Sequence, residues 1–263
     1  MKLSIVIPAY NESESIVETL EKFYEELQRE GIDHEILVVN DNSKDDTLSV
    51  LERMSASIPT LRYVTNPPPH NGFGYAVRKG LESFSGDCVA VVMADMSDDP
   101  KDAVKYYRTM LEGNYDCVFG SRFIKGGKVY DYPRHKLILN RIANTIVRFT
   151  FGIRYNDCTN AFKLYKKETI DGLKPVNAFK LYKKETIDGL KPFMSPHFNL
   201  TLELPLKAIV RGYSYTVVPN SWTNRKFGVS KLKIREMGSR YFFIMMYCLI
   251  EKFFARGDFK KKY

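Results

Sequence analysis

One pattern constrains this chain more than any other. Over the first 120 residues, short apolar runs alternate with amphipathic stretches. The apolar runs are Leu3–Pro8, Glu35–Val39, Leu61–Thr65, Cys88–Met93 and Tyr115–Phe119. Between the first two, Ser13–Arg29 places Ile16, Leu20, Phe23, Tyr24 and Leu27 at helical spacing. Thr47–Ile58, Gly74–Phe84 and Lys101–Leu111 read as the following helices. Strands that alternate with helices in this way predict an α/β fold, with a mainly parallel sheet covered by helices on both faces. In such sheets the ligand sits beyond the carboxyl ends of the strands, so the residues just after each run come first in a search for chemistry.

After four of the five runs those residues are polar in a consistent way. Tyr10-Asn11-Glu12 follows the first run, and Asn40-Asp41-Asn42-Ser43-Lys44-Asp45-Asp46 follows the second. Asp95, Ser97, Asp98 and Asp99 follow the fourth, and Gly120-Ser121-Arg122 the fifth. Hard cations such as Mg²⁺ and Mn²⁺ take oxygen ligands, and Mg²⁺ binds through one or two carboxylates plus phosphate. Asp95 at a strand end is suited to hold a metal against a diphosphate. Asp98 and Asp99 have a second reading as caps of a helix opening at Pro100. Glu12 and Asp41 could be simple turn residues, although their shared rim favours ligand contact. Gly72-Phe73-Gly74 does not complete a dinucleotide glycine loop, because position 77 is Val, and it does not follow the first strand. A nicotinamide site is therefore excluded.

The remaining composition narrows the setting. Of 263 residues, 44% are hydrophobic and 27% charged, which is enough apolar material for a full core. Cys88, Cys117, Cys158 and Cys248 form no CxxC pair, and Cys88 and Cys117 lie in apolar runs, which points to buried thiols in a reducing compartment. The N-terminus shows no cleavage-type leader, and no apolar stretch reaches the roughly 20 residues of a membrane-spanning helix. The formal charge of +9 suits nucleic acid, anionic lipid or phosphorylated substrates alike. Asn160–Pro175 is repeated letter for letter as Asn177–Pro192, with Val176 between. Two copies do not make a solenoid. One copy is expected in the regular position, with the other bulging outward.

Taken together, the motifs resemble glycosyltransferase family 2, whose fold is GT-A, Rossmann-like. The first strand with Pro8-Ala9-Tyr10-Asn11-Glu12, then Val39–Thr47, then Asn71-Gly72-Phe73-Gly74 with Ala76, Arg78 and Gly80 carry the resemblance. Gly120-Ser121-Arg122, Lys125-Gly126-Gly127, Asn144, Asp157–Phe162, and Arg225 with Gly228, Ser230 and Lys231 then follow, in order, the branch of dolichyl- and polyprenyl-phosphate sugar synthases. The resemblance implies that Pro8, Tyr10, Glu12 and Asp41 hold the nucleotide, with Lys231 on a loop closing over it. It implies that Asp95 binds the metal, Mg²⁺ or Mn²⁺, with Ser97 and Asp98 as further ligands. Here the chain departs from the family's DxD: Met93 stands at the first Asp, and Ser97 where Gln is common. Asn40 and Asn42 likewise replace the usual Asp and Gly.

For the acceptor, the resemblance implies that Arg122 and Lys136 hold a phosphate, with Asn140 nearby. Asp95, Arg122 and Arg225 are the expected catalytic residues. Arg binds phosphate through a planar fork. A phosphomonoester is largely dianionic at neutral pH and needs no strong base. The expected reaction is a single inverting displacement from a nucleotide-sugar to a polyprenyl phosphate. A saccharide hydroxyl is the alternative acceptor, and it would need Asp98 or Asp99 as base. A sugar-1-phosphate nucleotidyltransferase is disfavoured for lack of a glycine-rich opening; a non-enzymatic interaction subunit is a further rival. Residues 1–232 are expected to form the catalytic domain and 233–263 a C-terminal helix with a basic tail. Its ten apolar residues, Tyr241–Ile250, suit a membrane interface or a packed face. The expected partners are a nucleotide-sugar, a lipid phosphate and the cytoplasmic membrane surface, not nucleic acid, and an oligomer is possible.

Overall fold

The computed structural model describes residues 1–69, 71–173, 194–225, 234–255 and 260, with the side chains of 171–173 and 234–237 excepted. The first half follows the predicted alternation. Strand β1 (Leu3–Ala9) leads to α1 (Ile16–Arg29), β2 (His34–Asn40), α2 (Thr47–Ser57), β3 (Leu61–Thr65) and α3 (Phe73–Ser83). Then come β4 (Cys88–Val91), α4 (Pro100–Gly113) and β5 (Cys117–Ser121). The fourth strand ends two residues before Met93, because the backbone turns there toward the acidic loop.

The second half adds β6 (Lys128–Tyr130), α5 (Arg134–Phe151), β7 (Lys163–Lys166), α6 (Lys167–Leu173), α7 (Leu200–Val210), β8 (Tyr215–Pro219), β9 (Ser221–Thr223) and α8 (Ile234–Phe254). The main sheet runs β3-β2-β1-β4-β7-β5-β8, and β6 pairs with β9 in a small second sheet. All main-sheet pairings are parallel except those of β7, which runs antiparallel between β4 and β5. β7 and α6 come from the first copy of the repeated block. The second copy lies outside the described residues.

Successive residues of a strand point to opposite faces, and β1 divides the core accordingly. Leu3, Ile5 and Ile7 join α1, α2 and α4 on one side; Val6 joins α3, α7 and α8 on the other. Helix α3 lies so close to β1 that a Cβ at Gly80 would collide with the Val6 side chain. All four cysteines are free and buried, and burial pushes the Cys88, Cys158 and Cys248 thiols up to about 12. That is the inert behaviour of small buried hydrophobes.

Helix α8 does not stand apart from the sheet. Ile244 and Cys248 belong to the same buried cluster as Val6, and Arg211 of the α7 terminus forms a buried ion pair with Glu251 at 2.6 Å. Lys252 donates to the Phe151 carbonyl at the end of α5, 2.8 Å away, which ties α5 and α8 together. No helix among the described residues is long and apolar enough to cross a membrane.

Candidate active site

The sheet brings the ends of β1, β2, β3 and β4 to one rim. Three of the loops that leave it turn through a left-handed residue: Asn11 (φ 52°), Asn42 (φ 60°) and Met96 (φ 57°). Asn tolerates this conformation well; Met96 adopts it at a steric cost, between two candidate metal ligands. The first two loops are stitched together. Asn11 N–H donates to Ser43 Oγ, Lys44 N–H to Asn11 Oδ1, Glu12 N–H to Thr47 Oγ1 and Ser13 N–H to Asp45 Oδ2, all within 3.1 Å. Pro8 lies within β1 in register with Val39, and Tyr10 is half-buried beside it.

Asp41 is buried under this rim. Its carboxylate accepts from Asn66 Nδ2 at 2.8 Å and from the Gly72 N–H at 2.6 Å. Gly72 caps α3, so Asp41 also faces the positive end of a helix. Asn66 is a site residue that the strand-end reading passed over. It follows β3 just as Asp41 follows β2, and that position was the available signal.

The acidic loop after β4 separates into three roles. Asp99 caps α4, accepting from the Lys101 N–H at 3.0 Å. Asp98 is enclosed and accepts from the Met93 N–H at 3.0 Å; burial pushes its carboxyl up to about 7, against the lowering effect of that hydrogen bond, and neighbouring Asp95 adds to the rise. Asp95 carries the exchangeable contacts. One of its oxygens accepts from Ser97 N–H at 3.2 Å, and the other pairs with Arg225 Nη2 at 2.7 Å. The same guanidinium lies 3.7 Å from Glu12. Three of the expected residues, Glu12, Asp95 and Arg225, are thus brought together from distant parts of the chain.

Among the described residues no three His, Cys, Asp or Glu side chains converge on one metal position. The donor set fits a divalent cation in a leaner form. Asp95 offers one carboxylate with Ser97 beside it, and a positive group already sits against it. One carboxylate with phosphate oxygens and waters is a sufficient set for Mg²⁺.

A second constellation lies at the end of β5. Arg122 donates through Nε and Nη2 to Asp157 at 2.8 and 2.7 Å, and its backbone N–H reaches the same carboxylate at 3.1 Å. Burial alone would lower the Arg122 pKa, but Asp157 holds it above its ordinary value. The guanidinium is faced by Phe123, Tyr132 and Trp222 at 5.3 to 6.0 Å. Much of the Arg122 fork is therefore engaged within the protein. Asn140 on α5 donates to Thr159 Oγ1 at 2.9 Å, and Asn144 donates to both at 3.0 to 3.1 Å. Lys136 is half-buried one turn earlier on α5. Lys163, fully enclosed in β7, donates to the carbonyls of Cys158 and Thr201 at 3.1 Å and to that of Asn160, locking the Asp157–Asn160 turn onto α7; burial brings its pKa down to about 7. Lys231 lies outside the described residues.

A seven-stranded α/β sheet with one reversed strand and an acidic loop after β4 is a GT-A fold. The chain belongs to glycosyl transferase family 2, whose model matches residues 4–173. It is 30% identical over 238 residues to a dolichol-phosphate mannosyltransferase of Pyrococcus furiosus, covering 89% of this chain and 60% of that protein. It is 29% identical over 231 residues to a polyprenol monophosphomannose synthase of Mycolicibacterium smegmatis, covering 87% of this chain and 80% of that one. Among solved structures, the glucosyl-3-phosphoglycerate synthase of Mycobacterium tuberculosis with Mn²⁺, UDP-glucose and phosphoglyceric acid superposes with a TM-score of 0.64 at 18% identity, over 95% of this chain and 79% of that one.

Proposed function

We propose that this chain transfers a hexose-type sugar from a nucleoside diphosphate to a polyprenyl phosphate, with inversion at the sugar carbon. One observation carries the choice of acceptor. Helix α5 turns Asn140 and Asn144 toward Thr159 and the Arg122 constellation, while its opposite side exposes Ile138, Leu139, Ile142, Ile146 and Phe149. A phosphate-facing side and a lipid-facing side on one helix suit an acceptor that is both phosphate and lipid. The two mannosyl-transferring relatives named for dolichol phosphate and polyprenol support the same reading.

In this reading Pro8, Tyr10, Glu12 and Asp41 hold the nucleotide, with Asp41 receiving donor groups of the base. Asp95 is the residue that would hold Mg²⁺ or Mn²⁺, with Ser97 beside it. Asp98, expected from the family resemblance as a further ligand, is enclosed and turned to the Met93 N–H, and would join only by giving up that contact. When bound, the metal neutralises charge on the leaving diphosphate. Arg225 and Lys231 contribute positive charge to the same group. Lys136 and Asn140 approach the acceptor phosphate, and Arg122, fixed by Asp157, supplies a positive field and its remaining N–H groups. The acceptor arrives already dianionic, so alignment replaces proton abstraction as the main demand. A saccharide hydroxyl would need a base, yet Asp99 is engaged as a cap and Asp98 is enclosed.

Helix α8 extends the apolar surface. Phe242, Phe243, Met246, Ile250, Phe253 and Phe254 form a second exposed stripe, with Phe149 of α5 78% and Phe254 of α8 76% exposed. Two neighbouring helices that expose apolar side chains in this way, with basic residues such as Arg148 and Lys252 near their ends, suit a lipid interface on the cytoplasmic face. The test is incubation with GDP-mannose or UDP-glucose, radiolabelled in the sugar, and undecaprenyl phosphate. Label should pass into the lipid phase. Label retained in water with every donor would overturn the proposal. Phe149→Glu should lower sedimentation with phosphatidylserine vesicles on the order of tenfold, as expected for losing one buried aromatic contact; unchanged sedimentation would remove the membrane role of α5.

A further inference from the structure

We infer that Arg225 is a built-in counter-ion of the donor site, which a divalent cation must displace from Asp95 before it can bind there. The inference rests on reading Asp95 as the donor-site carboxylate, and it concerns how access to that carboxylate is controlled.

Asp95 and Glu12 enter from the ends of different strands and meet one guanidinium, at 2.7 and 3.7 Å. All three side chains are largely sheltered, at 8%, 13% and 16% exposure, so solvent screens this charge cluster less than it would a surface pair. The position of Arg225 is built into the backbone. Trp222 bridges to Asp98, Thr223 N–H donates to the Ser97 carbonyl at 3.1 Å, and Asn224 N–H donates to the Tyr130 carbonyl at 3.2 Å. The segment that bears Arg225 is therefore hydrogen-bonded to the acidic loop whose carboxylate it neutralises. Met93 supplies no second carboxylate to this loop, and Asp98 is turned to the Met93 N–H. A metal at Asp95 would meet the Arg225 guanidinium on the same small carboxylate. In this sheltered, weakly screened cluster the two positive charges repel, so metal binding favours displacement of the guanidinium.

Two consequences follow. Without nucleotide, the chain binds divalent metal weakly, because binding must first expose Asp95. A donor diphosphate offers Arg225 alternative oxygens in a geometry its planar fork favours, and brings metal ligands of its own. Metal and nucleotide should then bind with positive coupling, each raising the affinity of the other by the same factor.

Mn²⁺ titration of the full-length, nucleotide-free protein, followed by the electron paramagnetic resonance signal of free Mn²⁺, tests this without any turnover. Arg225→Gln should bind Mn²⁺ more tightly than the wild type, on the order of tenfold, a change in the usual range of coupling between sites. Arg225→Lys, which keeps the charge, should stay near the wild type. Adding Asp95→Asn to Arg225→Gln should abolish the gain. Equal or weaker Mn²⁺ binding by Arg225→Gln, no binding by it up to millimolar metal, or a gain that survives Asp95→Asn would each overturn the inference. Fluorescence of Trp222, the single tryptophan, together with a circular dichroism melt, verifies that each variant is folded. A tighter Mn²⁺ site in a protein that labels no lipid would refute the proposed acceptor and leave the counter-ion intact; lipid labelling with no change in Mn²⁺ affinity would do the reverse.

Discussion

The two ends of the sheet treat buried carboxylates in opposite ways. At the amino end, Glu35 of β2 accepts from Ser4 Oγ at 2.5 Å, from Arg62 Nε at 2.9 Å and from the Ser85 N–H. Burial would raise its pKa, but these donors outweigh it and hold the group at about 2. At the carboxyl end, Asp98 accepts from the Met93 N–H at 3.0 Å and burial pushes it up to about 7, while Asp95 depends on a backbone N–H and a single guanidinium. A carboxylate held by three donors, as Glu35 is, is a permanent anion. One held chiefly by a single guanidinium can exchange that partner for a ligand. Ligand exchange is therefore expected at Asp95 and a purely structural role at Glu35.

The largest effect is expected at Asp157, which three contacts from Arg122 make a fixed anion like Glu35: Asp157→Ala leaves buried Arg122 unpaired. Loss of one partner from a buried pair costs about 3–5 kcal/mol. Urea denaturation should show a shift of that size; a shift near zero would mean that Arg122 finds other compensation and that the pair is not structural. Asp95→Ala should act on turnover instead. We expect kcat/KM to fall by about 10²–10³, the effect of removing one preorganised charge contact, with the thermal midpoint little changed. Full turnover would dissolve the proposed distinction between the two ends.

Glu35→Gln sharpens the contrast through pH. A carboxyl held below its unfolded pKa stabilises the fold fully above about pH 4.5, and that contribution is lost as pH falls toward about 2. The wild type should therefore exceed Glu35→Gln in stability at neutral pH, and the gap should close on acidification through this window while transferase activity at neutral pH is unaffected. A gap independent of pH would show that packing, not charge, is what Glu35 supplies. The smallest effect belongs to Asp99→Ala, which removes an N-cap and should cost about 1 kcal/mol in chemical denaturation. A loss of activity larger than this stability change would move Asp99 from cap to site.

The first half of the fold was legible because its signals are local. Apolar run, amphipathic stretch and polar strand end recur on a scale of a few residues, and each predicted element there exists, Leu61–Thr65 with the same ends and the others with shifted ones. Met93 illustrates the limit: it extends an apolar run in sequence, yet its N–H is already turned to Asp98. β7 was hidden for a different reason. Its residues Lys163–Lys166 read as a charged segment, and only in the folded chain do three carbonyls receive the Lys163 ammonium. The α5 stripe was equally hidden, since spacing cannot say whether an apolar side faces a core or stays exposed.

The sequence by itself determined the α/β class, the rim on which polar residues gather, and the family to which the chain belongs, because period, strand-end polarity and motif order are properties of neighbouring residues. Only the tertiary structure decided which carboxylate at that rim is capped, which is enclosed and which is exchangeable. Asp95, Asp98 and Asp99 differ by a few positions in the chain, but their partners lie at Arg225, Met93 and Lys101. A carboxylate's behaviour is set by the donors and the dielectric around it, and the chain supplies those from distances that local pattern does not reach.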